Sequence, residues 1–436
     1  MKWFRLSLQL NNFPINRAEE LLHQIQEIPE HKYREYLEGQ RESILKFHIE
    51  NNEFYRQFCP TQNCKNWADV PVMKKADLQQ PLQNRISKGF SSRKTTYVGK
   101  TSGSSGQPFI FAKDRFAHAL SWAGFNNRYR WHGIDLNKSL QARFYGIPLD
   151  FYGNVQERVK DRISLRRRFN IFNLSDEKMQ NFLQRFKNTK FEYINGYTSA
   201  ILLFSKFLKN KSIILKEICP SLKVCIVTSE RLFENDKILM EETLGVPVLN
   251  EYGASEVGLI AFENREKEWI VNSEDLYVEI LDEHNNILPF GKEGRVVITS
   301  LYNKAHPMIR YDIGDTGILS EESSFKHPKL QKLIGRTNDI AHLANGKIVP
   351  GLTFYYVTKT IITDAGDIKE FVITQTAMDS FKIEYVSETD FDKNQVQKIT
   401  AAIQKYVGKD LKVNFERKHT LQRSKSGKLK QFTSLI

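Results

Sequence analysis

The chain has 436 residues, 64 Lys and Arg against 51 Asp and Glu, and a formal net charge of +13. Its hydrophobic share of 40% and aromatic share of 12% fit a folded protein of more than one domain, without a disorder signature. No apolar run approaches the roughly 18 residues of a membrane-spanning helix, and no zinc-finger spacing, RNP-like motif or basic heptad region points to nucleic acid.

The positive balance favours phosphate-bearing or other anionic partners, an anionic membrane surface included. Basic residues gather at Lys160 to Arg168 and from Lys409 to Lys430; each run read alone is a solvated face. The stretch MKWFRLSLQLNNFP lacks the apolar centre of a signal peptide. Cys59, Cys64, Cys219 and Cys225 have no CxxC spacing and are expected as free, mostly buried thiols in a reducing cytoplasm, not as a metal site.

In chain order, Arg17 to Phe58 carries apolar residues at helical spacing, Leu21, Ile25 and Ile28 and then Ile44, Phe47 and His48, and predicts two helices. Tyr97 to Phe111, YVGKTSGSSGQPFIF, is a polar loop between apolar edges. Thr101, Ser102, Gly103, Ser104, Ser105 and Gly106 cannot hold a regular helix. The glycines allow close backbone approach and positive φ, so successive N–H groups can converge on an anion while hydroxyls add donors. Read alone, the stretch is either a flexible turn-rich loop or a phosphate cradle, and it is not of the Walker type.

Lys113 to Trp131 predicts a helix, with His118 and His132 as surface or capping residues. Ser139 to Gly153 mixes a strand-like run with turns. Phe191 to Leu208 reads as a strand, a turn at Gly196 and a helix capped by Thr198 or Ser199. Apolar strands follow at Leu222 to Val227, ending in Thr228-Ser229-Glu230, and at Pro247 to Asn250, ending in Glu251-Tyr252-Gly253. Short apolar strands alternating with helices predict an α/β fold whose ligands bind off the carboxyl ends of the strands.

Several of these stretches, in this order, resemble the motifs of the adenylate-forming acyl-CoA synthetases. The loop from Thr101 resembles their TSGTTGxP phosphate motif, and Asn250 to Gly258, NEYGASEVG, their YGxTE motif. Pro307 to Asp315, PMIRYDIGD, is similar to their Pro-x-Ile-Arg-Tyr-x-x-Gly-Asp almost residue for residue. Leu333 to Asp339 resembles the GRxDD hinge, and Arg423 to Lys430 the terminal Ser-Gly-Lys motif. FHIENNEFYRQF and Pro71-Val72, Lys75 and Asp77-Leu78 resemble the phenylacetate-CoA ligase and CapK-like group within that superfamily.

The resemblance covers nearly the whole chain and implies residue roles. Thr101 to Gly106 hold phosphate, Ser229, Glu230 and Arg231 wall the adenine, Glu251, Tyr252 and Gly253 meet the nucleotide, and Ser255 touches phosphate. Glu256 coordinates magnesium, a hard cation that prefers one carboxylate with phosphate oxygens and waters. Asp315 binds both ribose hydroxyls, as an acceptor-only carboxylate can, and Arg336 contacts the nucleotide. Lys428 neutralises the α-phosphate and acyl carboxylate as a compact charge. Asn338 is the pivot where Asp or Lys is usual, and Gly346 belongs to the loop that approaches pantetheine. Phe144 and Tyr145 either line the acyl pocket or pack in the core. The segment TFYY at Thr353 to Tyr356 stands where the group usually has Ile-Glu.

The expected fold is α/β, a large N-terminal adenylate-forming domain of layered sheets and helices over residues 1–334. A small mobile α+β domain follows over 335–436, with its hinge near 336–339. The expected reaction joins a small carboxylic acid to AMP with Mg2+ and ATP, then passes the acyl group to coenzyme A. Transfer to an amine or hydroxyl of a sugar in capsule or O-antigen assembly, and a non-catalytic nucleotide-binding protein, are the alternatives. Nucleic acid is not expected as a partner; peripheral membrane contact is compatible with the charge.

Overall fold

A computed structural model describes residues 3–60, 66–100, 109–146, 151–171, 175–230, 232–334, 340–350, 368–387, 389–419, 421 and 432–436. Its helices are α1 (Trp3–Leu10), α2 (Ile15–Glu27), α3 (Glu30–Asn51), α4 (Glu53–Phe58), α5 (Arg115–Arg130), α6 (Phe151–Ile163), α7 (Asp176–Asn188), α8 (Thr198–Asn210), α9 (Leu215–Ile218), α10 (Glu234–Leu244) and α11 (Lys393–Tyr406). The strands begin with β1 (Met73–Lys74), β2 (Thr96–Lys100), β3 (Ile110–Asp114), β4 (Gln141–Phe144), β5 (Arg166–Phe169), β6 (Tyr193–Tyr197) and β7 (Val224–Thr228). Next come β8 (Val248–Ala254), β9 (Gly258–Glu263), β10 (Trp269–Val271), β11 (Leu276–Leu281), β12 (Glu293–Ser300), β13 (Tyr311–Leu319) and β14 (Leu330–Ile334). The last are β15 (Ile340–His342), β16 (Ile348–Pro350), β17 (Ile368–Ala377), β18 (Ser380–Ser387), β19 (Lys412–Arg417) and β20 (Phe432–Ser434).

The chain forms two compact units, one of Met1–Ser102, Phe109–Asn137 and Asn250–Gly335, the other of Gly103–Pro108, Lys138–Leu249 and Arg336–Ile436. In the first, β13 pairs antiparallel with β12 and β14 and parallel with β1, and β11 follows β12. Side chains of β13 alternate, with Tyr311, Ile313, Asp315 and Leu319 buried and the intervening positions half-buried, as the two-residue period of a strand requires. Tyr311 and Asp315 therefore face the same way. Their face adjoins a core of Met73, Phe109, Phe111, Tyr252, Ile260, Ile298 and Ile309.

Arg310, just before β13, is completely buried. Its guanidinium donates to Ala68 O at 2.9 Å, Val70 O at 2.7 Å and Asn285 O at 3.2 Å, and lies 3.5 Å from the Glu279 carboxylate. The arginine of the PMIRYDIGD motif is thus a strut between loops.

In the second unit β4, β5, β6 and β7 are parallel, in the order β7-β6-β4-β5, as short apolar strands alternating with helices imply. A separate core forms from residues 341–432. There β19-β18-β17-β20 make one sheet, and Ile399 and Ile403 of α11 pack with Phe371, Phe381 and Ile383.

Several expectations change in detail. The two helices over Arg17 to Phe58 are three, because Asn52 caps α4 by accepting from the Tyr55 amide at 2.9 Å. The helix expected from Lys113 starts at Arg115, where Asp114 accepts from the Ala117 amide at 2.8 Å; Lys113 lies in strand β3 instead. Gly196 lies inside β6, not in a turn: a Cβ there would stand 2.4 Å from Phe144 O, so close strand packing demands the glycine. Tyr197 is the N-cap of α8 and makes no side-chain cap bond, and Thr198 instead donates to Glu230 O at 3.3 Å.

Cys59 is disulfide-bonded, against the expectation of a free thiol. It is fully buried at the end of α4, and without CxxC spacing the sequence carried no sign of the bond. Cys219 and Cys225 are free and buried. Among the described residues no helix is long and apolar enough to cross a membrane.

Candidate active site

Residues 250–263 of the β8–β9 hairpin and β13, all in the first unit, carry two of the expected motifs, and their side chains bond to each other. Tyr252 Oη donates to Asp315 Oδ2 at 2.9 Å, and Tyr311 Oη donates to Glu256 Oε1 at 3.2 Å. All four residues are buried, Glu256 and Asp315 each 7% exposed. Each motif thus supplies one phenol and one carboxylate, and each phenol orients the other motif's carboxylate. Charge-assisted bonds of this kind fix a carboxylate's direction before any ligand arrives. Tyr311 thus holds Glu256 through the Oε1 of its carboxylate.

The hairpin is tight. Tyr252 pairs with Ala261 and Ala254 with Gly258, with a register shift between Tyr252 and Gly253. Ser255 is exposed in the turn, while Glu256 beside it points inward. Gly258 has φ +103°, and a Cβ on it would lie 3.2 Å from Ser121 Oγ and 3.3 Å from Lys113 Nζ, so only glycine suits the turn's exit. Glu251 Oε2 accepts from Tyr129 Oη of α5 at 2.6 Å.

Lys113, which the sequence reading left out, lies buried behind this turn. Burial lowers its ammonium to about 8, against the opposing pull of the Asp275 and Glu256 carboxylates. Burial also pushes Asp275 up to about 7, with Lys113 opposing. Beside it, burial would raise Glu274, but Arg128 at 2.5 Å and Gln26 at 2.9 Å outweigh that and hold the carboxyl below its ordinary range. A lysine inside the apolar run FIFAKD was the available signal, since buried lysines are rare unless paired or functional.

The ends of the predicted phosphate loop are fixed by a hairpin. β2 and β3 pair antiparallel from Thr96 with Asp114 to Lys100 with Ile110. Arg85 donates to Ile110 O at 2.9 Å, and Asn303 Nδ2 to Ala112 O at 2.9 Å. Thr101 to Gly106 themselves, with Arg231, Arg336, Asn338, Lys428 and the TFYY segment, lie outside the described residues.

Other expected residues are placed in the second unit. Ser229, just after β7, has φ +71°, a strained conformation of the kind that gathers at ligand sites; Glu230 follows it half-buried. Phe144 is fully buried and stacks on Phe169 at 4.8 Å, which makes it part of the aromatic core. Tyr145 is half-buried and donates to Asn195 Oδ1 at 3.0 Å. Gly346, with φ +75°, turns β15 into β16 and has open space where a Cβ would be.

His118 is not a surface residue: it stacks on Tyr97 at 4.0 Å and accepts from Trp122 Nε1 at 3.1 Å, and burial drives it down to about 3. His132 Nε2 donates to Glu263 O at 2.8 Å. Two clefts of the first unit, of about 840 and 860 Å³, are not lined by Tyr252, Glu256 or Asp315. Among the described residues no group of three or more His, Cys, Asp or Glu could hold a metal; a single carboxylate completed by substrate oxygens is the arrangement Glu256 permits.

Residues 344–434 match the family model of the CapK C-terminal domain. Over 378 residues the chain is 22% identical to Protein CapK of Staphylococcus aureus, covering 83% of this chain and 80% of that protein. The chain is a CapK homologue. It is also 33% identical over 135 residues to a phenylacetate-coenzyme A ligase of Aromatoleum evansii, covering 30% of this chain and 31% of that enzyme.

The CapK homologue has the adenylate-forming fold. It superposes on 2-hydroxyisobutyryl-CoA ligase in complex with 2-HIB-AMP and CoA in the thioesterification state with a TM-score of 0.59, at 17% identity, over 93% of this chain and 90% of that one. An open conformation of the same ligase gives 0.56, at 17% identity over 93% and 92% of the two chains.

Proposed function

We propose that this CapK homologue uses Mg-ATP to activate a carboxylic acid as its acyl-adenylate and then passes the acyl group to coenzyme A. The observation that carries the reading is the reciprocal bonding of Tyr252 to Asp315 and of Tyr311 to Glu256. Two sequence motifs of one chemistry thereby stand as one preorganised pair of carboxylates.

In this reading Asp315 accepts from the ribose hydroxyls, Tyr252 packs against adenine, and Ser229, Glu230 and Arg231 wall the base. Thr101 to Gly106 and Ser255 donate to phosphate. Glu256 would hold the magnesium ion, whose charge supports the phosphates when bound. The acid's carboxylate oxygen attacks the α-phosphorus, the bond from that phosphorus to the bridging oxygen breaks, and pyrophosphate leaves. Lys428 neutralises charge in that step, which needs positioning and electrostatics more than a general base. Residues 335–436 then turn about Asn338 near Arg336, bringing the Gly346 loop to pantetheine. The thiolate attacks the acyl carbon and AMP departs. Tyr145 borders the acyl group.

A second reading gives the acyl group to an amine or hydroxyl of a sugar. It is favoured by the extent of likeness, since the alignment with CapK spans 80% of that protein and that with the Aromatoleum ligase only 31%. Incubation with a panel of acids and Mg-ATP, with and without coenzyme A, followed by mass spectrometry, separates the two. An acyl-CoA product supports the ligase. Adenylate that persists with coenzyme A but is consumed by an amino sugar supports the second reading.

A further inference from the structure

Helix α6 carries an apolar stripe on its exposed side. Val155, Val159 and Ile163 are 45%, 53% and 44% exposed. A step of four residues advances only about 40° around an α-helix, so the three form one narrow line. Arg158 and Arg162, both exposed, stand along one flank of that line, and exposed Lys160 stands along the other. Between Val155 and Arg168 the sequence holds six basic and two acidic residues.

The rotation of α6 is set from its opposite side. Asp161 is buried and receives two bonds from Arg168 of β5, Nε at 2.7 Å and Nη2 at 3.2 Å, with Arg143 3.9 Å away. This bidentate grip holds the acidic residue inward and turns the valine and isoleucine line outward. The basic run noticed in the sequence is therefore divided: Arg168 anchors the helix, and Arg158, Lys160 and Arg162 border its apolar line.

We propose that α6 docks on an anionic membrane surface, the Val155–Val159–Ile163 line entering the headgroup boundary while Arg158, Lys160 and Arg162 reach acidic headgroups. Apolar residues with cations on both shoulders match a surface that is apolar below and anionic above, and long basic side chains extend readily toward phosphate from such positions. A second copy of the chain would bring two rows of arginine together.

The test is sedimentation of the full chain with vesicles of phosphatidylglycerol or of phosphatidylcholine. The expected result is binding to the first and not the second, weakened by added salt. Val155→Ser/Val159→Ser/Ile163→Ser keeps the charge and nearly the same helix propensity; it should lower binding on the order of tenfold without changing the thermal midpoint. Arg158→Ser/Arg162→Ser should also weaken binding and flatten its salt dependence. Equal binding by wild type and the serine variant would overturn the proposal, because overall positive charge would then explain the attraction. Absence of binding by folded wild type, or self-association abolished by the serine variant, would overturn it as well.

Discussion

The hairpin site of the first unit and the separate core of residues 341–432 hold their candidate residues in opposite ways. Glu256 and Asp315 are buried, and each takes a phenol hydroxyl from the other's motif. Gly346 sits on an exposed turn with open space around it. In the first region the packing that makes the fold also orients the two candidate carboxylates, so substitutions at them should change stability as well. In the second, the candidate turn is exposed with open space around it, so a substitution there should leave the fold intact.

The sharpest break of this contrast is Lys428→Ala. It should lower adenylation on the order of 10²- to 10³-fold, yet leave conversion of pre-formed adenylate to thioester far less affected, when each half-reaction is timed alone. Equal loss in both would make the lysine structural.

Arg310→Met should act the other way, through the fold. It leaves the Glu279 carboxylate buried without its cation, a loss of about 3–5 kcal/mol, read as a large drop in the thermal midpoint. A midpoint close to wild type would remove the strut role.

Acid should weaken the first region before the second. His48 is fully buried, its Nε2 donating to Asn303 O at 2.9 Å, and burial lowers it to about 4 from an ordinary 6.5. Between those values the unfolded chain binds the proton and the folded chain does not, so the stability present above pH 6.5 is lost as pH falls toward 4. Asp275, raised from an ordinary 3.8 to about 7, acts oppositely across the whole of that window. The informative measurement is therefore the difference in acid slope between wild type and His48→Gln, which should be shallower in the variant. In residues 341–432, by contrast, His342 is exposed. Hydrogen exchange during an acid titration should show first-unit amides opening earlier.

The smallest expected effect is that of Tyr311→Phe, which removes one hydroxyl from Glu256 and keeps the ring in the core. A net loss of about 1 kcal/mol should appear as a roughly fivefold higher KM for Mg-ATP with little change in the thermal midpoint.

Much of this was legible in the sequence because it is local. The strands read at Leu222 to Val227 and Pro247 to Asn250 follow from apolar runs, although the second runs on to Ala254. What escaped is long-range. Nothing in the spacing of Tyr252 and Asp315 says that they bond, and Lys113 was counted into a helix because its burial depends on neighbours more than a hundred residues away. Gly196 looked like a turn residue for the same reason: its contact is Phe144, not its chain neighbours. Phe144, by type equally suited to an acyl pocket or a core, stacks on Phe169 in the aromatic core.

The most direct measurement is acid-dependent exchange of labelled pyrophosphate into ATP, on wild type and on Glu256→Gln, across a broad panel of carboxylic acids. The account predicts exchange with at least one acid and its reduction on the order of 10²-fold or more in the variant, with the variant folded. No exchange with any acid by folded wild type, or an unchanged rate in Glu256→Gln, would contradict it.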